Sequence, residues 1–229
     1  YKDAVPDKER GHIYPKYAAM IESVDQSLGS IVKKLEQLNL TDNTIIIFTS
    51  DNGGHGKWTS NYPFRGNKGN FYEGGIRVPL IFKWSKKIKS SQIIEDHVIG
   101  NDFYPTLLEM AEIPLIPNQH IDGISLWSLL NAGKKIDRNE LFWHFPNYIG
   151  AGHPDPARPS SVIRSGKWKL IENLENGEVE LYDLKNDISE KNDVSKKFQK
   201  KVVELKNKLN NWRIQVNAQM PLINENFSQ

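Results

Sequence analysis

Cysteine is absent from all 229 residues. Disulfides, thiolate metal sites and a cysteine nucleophile are therefore excluded within the chain. No apolar run approaches the roughly 18 residues that a membrane-spanning helix needs. An excess of one charge is missing too: 30 Lys and Arg stand against 28 Asp and Glu, for a net charge of +2. Such a balance gives no reason to expect nucleic acid or a membrane surface as partner. It is silent about a small anion, which local charge would hold. What remains is a globular composition, 38% hydrophobic and 25% charged with six Trp. The length suits one large domain or two small ones.

The first periodic segment runs from about Pro15 to Leu38. Tyr17, Met20, Ile21, Val24, Leu28, Ile31, Val32, Leu35 and Leu38 recur at three- and four-residue steps, one face of an amphipathic helix. The β-branched run from Thr44 to Thr49 follows. Its continuous apolar character predicts a strand buried on both faces. Helix, short loop and buried strand together predict an α/β fold. Val78 to Trp84 reads as a second buried strand, Asp96 to Ile99 as a short third, and Phe103 to Ala111 as a helix led by Asp102. Three short strands, at 161–165, 168–172 and 179–184, then form an antiparallel meander with turns at Gly166-Lys167 and Glu175-Asn176-Gly177. A helix closes the chain from about Ser195 to Val216. Val202, Leu205, Leu209 and Trp212 are expected to pack inward, with its lysines forming a solvated face. These shifts divide the chain into 1–140 and 141–229, the second being a small antiparallel sheet plus helix.

Several residues suggest chemistry. Asp51-Asn52-Gly53-Gly54 stands at the carboxyl end of the first predicted strand, the edge at which open α/β sheets bind ligands. A carboxylate beside an amide oxygen suits a hard cation, Ca²⁺ or Mg²⁺. The same tetrapeptide also suits a plain tight turn. Lys68 lies in a Gly-flanked loop and is able to reach an anion as a point charge; a solvated surface lysine fits equally. His55 follows the Asp-Asn-Gly-Gly cluster as a pocket-lining or simply solvent-facing histidine. Arg65 is a second candidate cation in the loop of Lys68. In Phe142-Trp143-His144-Phe145-Pro146-Asn147-Tyr148, His144 and Tyr148 are candidate contacts to a sugar hydroxyl, unless Trp143 and Phe145 merely pack two subdomains together.

Taken in order, these segments resemble the type I sulfatases of the alkaline phosphatase superfamily. The resemblance rests on Val24-Asp25 with Gly29, Ser50-Asp51-Asn52-Gly53, Lys68, Tyr72-Glu73-Gly74-Gly75-Ile76-Arg77-Val78-Pro79, and Asp102-Phe103-Tyr104-Pro105-Thr106-Leu107. It continues through Asp122-Gly123-Ile124-Ser125-Leu126, Ile163-Arg164-Ser165-Gly166-Lys167-Trp168-Lys169-Leu170 and Glu180-Leu181-Tyr182-Asp183-Leu184. It implies an alkaline-phosphatase-like central sheet flanked by helices, of which this chain holds the C-terminal portion. It also implies that Asp51 and Asn52 are Ca²⁺ ligands, with Mg²⁺ as the second candidate ion, and that Lys68 contacts the sulfate and the departing ester oxygen.

The family's nucleophile is a formylglycine made from Cys or Ser in a C/S-x-P-x-R motif. This chain has no such motif, nor the family's N-terminal pair of aspartate ligands. The expectation is therefore a C-terminal half that is inactive alone and completed by an upstream half carrying the formylglycine. The expected function of the whole is hydrolysis of a sulfate monoester on a carbohydrate, with a sulfated small molecule or glycan as partner and an exported location. A phosphonate or phosphodiester hydrolase of the same superfamily, or a non-catalytic module binding a sulfated ligand, are the alternatives. An incomplete sheet also predicts exposed apolar edges.

Overall fold

The computed structural model describes residues 14–148 and 158–222. Helix α1 spans Pro15–Gln37, as its periodicity predicts. Strand β1 (Ile46–Thr49) pairs antiparallel with β2 (Leu80–Lys83), and Phe48 stands opposite Ile81. Between them lie a long loop and the short helix α2 (Glu73–Ile76). Helices α3 (Phe103–Met110) and α4 (Trp127–Ala132) follow. A four-stranded antiparallel sheet is then built in chain order from β3 (Glu140–Phe145), β4 (Ser160–Ser165), β5 (Trp168–Asn173) and β6 (Val179–Asp183). Helix α5 (Gln199–Gln215) completes the described chain. No helix among the described residues is long and apolar enough to cross a membrane.

Compactness and chain order divide the molecule differently. One compact unit comprises residues 1–24, 50–79 and 139–229, and the other 25–49 and 80–138. The long loop after β1 therefore groups with the C-terminal sheet, 60 or more residues further along the chain.

In the first unit the sheet is covered on both faces. Ile163, Leu170 and Leu181 align across three strands and meet Leu205 and Leu209 of α5, all fully buried. Each such side chain contributes roughly 1.5–3 kcal/mol through removal from water. Phe142 of β3 stacks on Trp212 at 4.8 Å between ring centroids. The β4–β5 turn is tight, and Gly166 supplies the positive φ of 56° that it needs. On the opposite face the register aligns Arg164, Lys169 and Tyr182, and Lys169 is fully buried there.

The second unit has a smaller core of Met110, Leu126, Leu129 and Leu130 around a buried carboxylate, that of Asp102. Asp102 accepts hydrogen bonds from the backbone N–H of Ile99 at 2.9 Å and of Ile124 at 3.0 Å. Arg138 grips both its oxygens, one at 2.8 Å. Thr106 donates to the Asp102 carbonyl at 2.6 Å and accepts from the Leu126 N–H at 2.8 Å. The Asp-Phe-Tyr-Pro-Thr and Asp-Gly-Ile-Ser-Leu segments thus meet as one polar lock.

Four sequence expectations need correction. Residues 96–99 form no strand; Ile99 instead gives its N–H to Asp102. The strands β1 and β2 are only half buried: Ile81 on β2 is 58% exposed. Strand β3 was hidden in the aromatic run at 142–145. The basic face of α5 is not simply solvated, because Lys206 pairs with Glu172 at 2.9 Å and Lys208 with Glu140 at 2.6 Å.

Candidate functional site

The site begins where β1 ends. Ser50 donates to the Asn52 carbonyl at 2.9 Å, and the Asn52 amide nitrogen donates to the Gly53 carbonyl at 2.9 Å. These local bonds shape a tight turn, with Asp51 exposed and Asn52 half buried. The turn and ligand readings are thus compatible, because a turn is what projects a carboxylate and an amide from adjacent positions.

The turn is pinned from outside. The Gly53 N–H donates to the Gly75 carbonyl at 2.9 Å. A Cβ on Gly53 would stand 1.7 Å from the Gly74 carbonyl oxygen, so only glycine permits this approach. The Lys68 N–H donates to the Gly54 carbonyl at 3.0 Å, which fixes the backbone of the candidate cation to the Asp51–Gly54 turn. Asn61 ties the same segments together. It accepts from the Gly54 N–H at 2.9 Å and donates to the carbonyls of Gly54 and Gly66 at 3.1 Å. Sequence reasoning missed Asn61. An asparagine in a polar loop carries no periodic signal, and its partners lie five and seven residues away.

The other candidates part company. His55 accepts the Lys57 N–H on Nδ1 at 3.2 Å, beside the turn. Arg65 faces the C-terminal sheet instead. Its guanidinium donates to the Tyr182 hydroxyl at 2.9 Å and the Glu190 carbonyl at 3.0 Å, and lies 3.8 Å from the Tyr72 ring centre. His144 has both ring nitrogens engaged, Nδ1 with Ser161 Oγ and Nε2 with the Gln219 carbonyl, each at 2.6 Å. Tyr148 is exposed and donates to Glu175 at 2.5 Å, which raises its pKa.

Behind the turn lies a charged cluster that the sequence did not single out. Glu73, at the start of α2, is 1% exposed. Its carboxylate meets Lys169 at 3.0 Å and Arg164 at 3.3 Å. Its backbone N–H donates to Glu190 at 2.6 Å, and Glu190 also pairs with Lys169 at 2.9 Å. Burial pushes the Glu73 carboxyl up, but Lys169 and Arg164 outweigh it and hold the group below its usual value. Burial prevails at Glu190, whose pKa is raised despite Lys169. Tyr72 and Tyr182 are raised by burial and by the neighbouring Glu180, to which both donate. An open cleft of about 590 Å³ beside Tyr72 is lined by Asn70, Arg158, Ser160, Asn173 and Lys196 among others, and includes none of Asp51, Asn52 or Lys68.

The described residues hold no group of three or more His, Asp or Glu arranged to bind a metal. Asp51 and Asn52 therefore offer two hard oxygen donors towards the six to eight that Ca²⁺ takes. Their chemistry suits a hard cation, and two donors fall short of a full coordination shell.

Comparison with known proteins gives the family. Residues 1–113 match the family model described as Sulfatase, and residues 66–215 that described as N-sulphoglucosamine sulphohydrolase, C-terminal. A sulfatase of Formosa agariphila is 38% identical over 90% of this chain and 41% of its own length. The structure of BT4656 in complex with its substrate D-glucosamine-2-N,6-O-disulfate matches with a TM-score of 0.75, at 30% identity over 90% of this chain and 41% of that one. The structure of Ps i-CgsB in complex with k-i-k-neocarrahexaose matches at TM-score 0.71 and 31% identity, over 86% and 42%. The chain thus spans about two-fifths of the length of these relatives. Sequence and architecture agree, and the chain belongs to the sulfatase family, whose C-terminal region it carries.

Proposed function

We propose that the whole protein hydrolyses a sulfate monoester, on a carbohydrate, to an alcohol and inorganic sulfate. In this reading Asp51 and Asn52 supply oxygen ligands to Ca²⁺, and the Lys68 ammonium contacts the sulfate and the departing ester oxygen. A bound divalent ion would supply charge stabilisation for the sulfuryl oxygens. Lys68 adds a second positive charge and a proton donor at the leaving oxygen, where negative charge develops. The glycine-pinned turn fixes where the two donors stand, so little reorganisation is needed at the moment of reaction. The observation that carries this reading is the hydrogen bond from Lys68 N–H to the Gly54 carbonyl, 3.0 Å long. It ties the candidate cation to the candidate metal turn, in a chain of the sulfatase family.

A carbohydrate is favoured because the similar solved structures include complexes with a glucosamine disulfate and with a neocarrahexaose. The nucleophile, a formylglycine, is assigned to sequence outside this chain, and export of the whole protein goes with the same reading. The test is sulfate release by the full-length protein, with Ca²⁺ binding followed by calorimetry. Asp51→Ala is expected to abolish both. Lys68→Ala is expected to lower kcat by about 10²- to 10⁴-fold, the usual range for a general acid, while Ca²⁺ still binds. Full activity in either variant, or release of phosphate in place of sulfate, overturns the proposal.

A further inference from the structure

The Asp51–Asn52 turn is pinned by a chain of groups that ends on the C-terminal sheet. The Gly53 N–H bonds to Gly75 of α2, and the carbonyl of Gly74 closes against Gly53. The Gly74 N–H donates to the Arg65 carbonyl at 2.7 Å, which adds the loop of Lys68 to the same assembly. Helix α2 has only four residues and cannot hold its own position through internal hydrogen bonds. What holds it is Glu73. Its carboxylate lies between Lys169 and Arg164 of the aligned row on β4 and β5, and its N–H donates to the Glu190 carboxylate. Glu190 serves twice, because its backbone carbonyl accepts from Arg65. It does so with a φ of 50°, a left-handed conformation that disfavours any residue with a Cβ. This buried glutamate spends its side chain on the Glu73 N–H and on the Lys169 ammonium, 2.9 Å away.

We infer that Lys169 and Glu190 are positioning residues, which set the Asp51–Asn52 turn and the Lys68 loop through Glu73 and Arg65 without touching substrate or ion. The C-terminal sheet is thereby part of the site's machinery. The inference rests on the proposed function for what the turn does, but not for how the turn is held.

Amide hydrogen exchange and Ca²⁺ titration of the full-length protein, in the paired variant Lys169→Met with Glu190→Gln, test it. The pair removes one charge of each sign and leaves Glu73 with Arg164, so the interior stays balanced. Exchange at the Gly53, Lys68 and Gly74 amides is expected to rise about tenfold, while the amides of Leu170 and Leu181 keep their rates, the signature of local opening. Unchanged loop amides overturn the inference, and so does an equal rise everywhere, which marks a merely structural role. Glu190→Gln alone keeps an acceptor for the Glu73 N–H and is expected to restore most of the loop protection; no recovery overturns the assignment of Lys169. Ca²⁺ affinity is expected to fall in step with the loop exchange. A wild-type protein whose Ca²⁺ affinity ignores Asp51→Ala defeats the metal reading while leaving the exchange result to decide the positioning.

Discussion

Helix α1 and the sheet β3–β6 are both amphipathic by sequence, and they meet opposite fates. The sheet buries Val162, Ile163, Leu170 and Leu181 completely. Helix α1 buries no residue at all, and Met20, Ile21, Val24 and Ile31 are 66%, 53%, 50% and 56% exposed. Patterning therefore reports which face an element offers, and only a facing element decides whether that offer is taken up. The sheet's partners, α5 on one face and the Glu73 helix on the other, lie within the described residues. Those of α1 do not.

The comparison extends to how each unit is held, and five substitutions sharpen or break it. The largest expected effect is Arg138→Ala in the smaller unit. It strands the Asp102 carboxylate, 0% exposed, and should cost about 3–5 kcal/mol. Leu209→Ala in the sheet unit should cost about 2–5 kcal/mol, the cavity-forming range for a core leucine. Urea unfolding reads both, and a cost below ~1 kcal/mol at either position would mean that the core drawn for that unit is wrong.

Third, acid and base should act on the sheet unit in opposite senses through the buried pair. Glu73 is held below its ordinary 4.5, so its contribution is present above the unfolded value and is lost as pH falls through the folded one. Glu190 is raised above 4.5, so its contribution is present below the unfolded value and is lost as pH rises through the folded one. Glu73→Gln should flatten the acid limb of a plot of melting midpoint against pH, and Glu190→Gln the limb above 4.5. A limb that keeps its slope would assign the titration to another group. The smallest effect belongs to α1: Ile31→Ser should change stability by no more than about 0.5 kcal/mol. A cost like that of Leu209→Ala would show that the helix face is covered in solution.

Much of the fold was legible because its signals are local. The three- and four-residue recurrence marked α1, and the runs between Gly turns marked β4, β5 and β6 to within a residue or two. Strand β3 escaped because Phe142 to Phe145 is aromatic on both faces, and its partner β4 comes only after a long connection. The candidate site was half legible. Asp51, Asn52 and Lys68 stand out by type and order, but what fixes them does not. Lys169 and Glu73 are charged, and charged residues ordinarily signal a wet face. A clue was present in β4, where the consecutive apolar pair Val162-Ile163 indicates a sheet covered on both sides.

The bonds that hold the Asp51–Asn52 turn have a consequence in time. Glu73 waits for Lys169, 96 residues downstream, and for Glu190, 117 residues downstream. At roughly 5–20 residues per second of synthesis, the ribosome delivers those partners on the order of ten seconds after Glu73 itself. During that interval the turn has only its local bonds, those of Gly53, Gly54, Asn61 and Lys68. Glu73 gains its full set of partners only once β5 and Glu190 have both emerged.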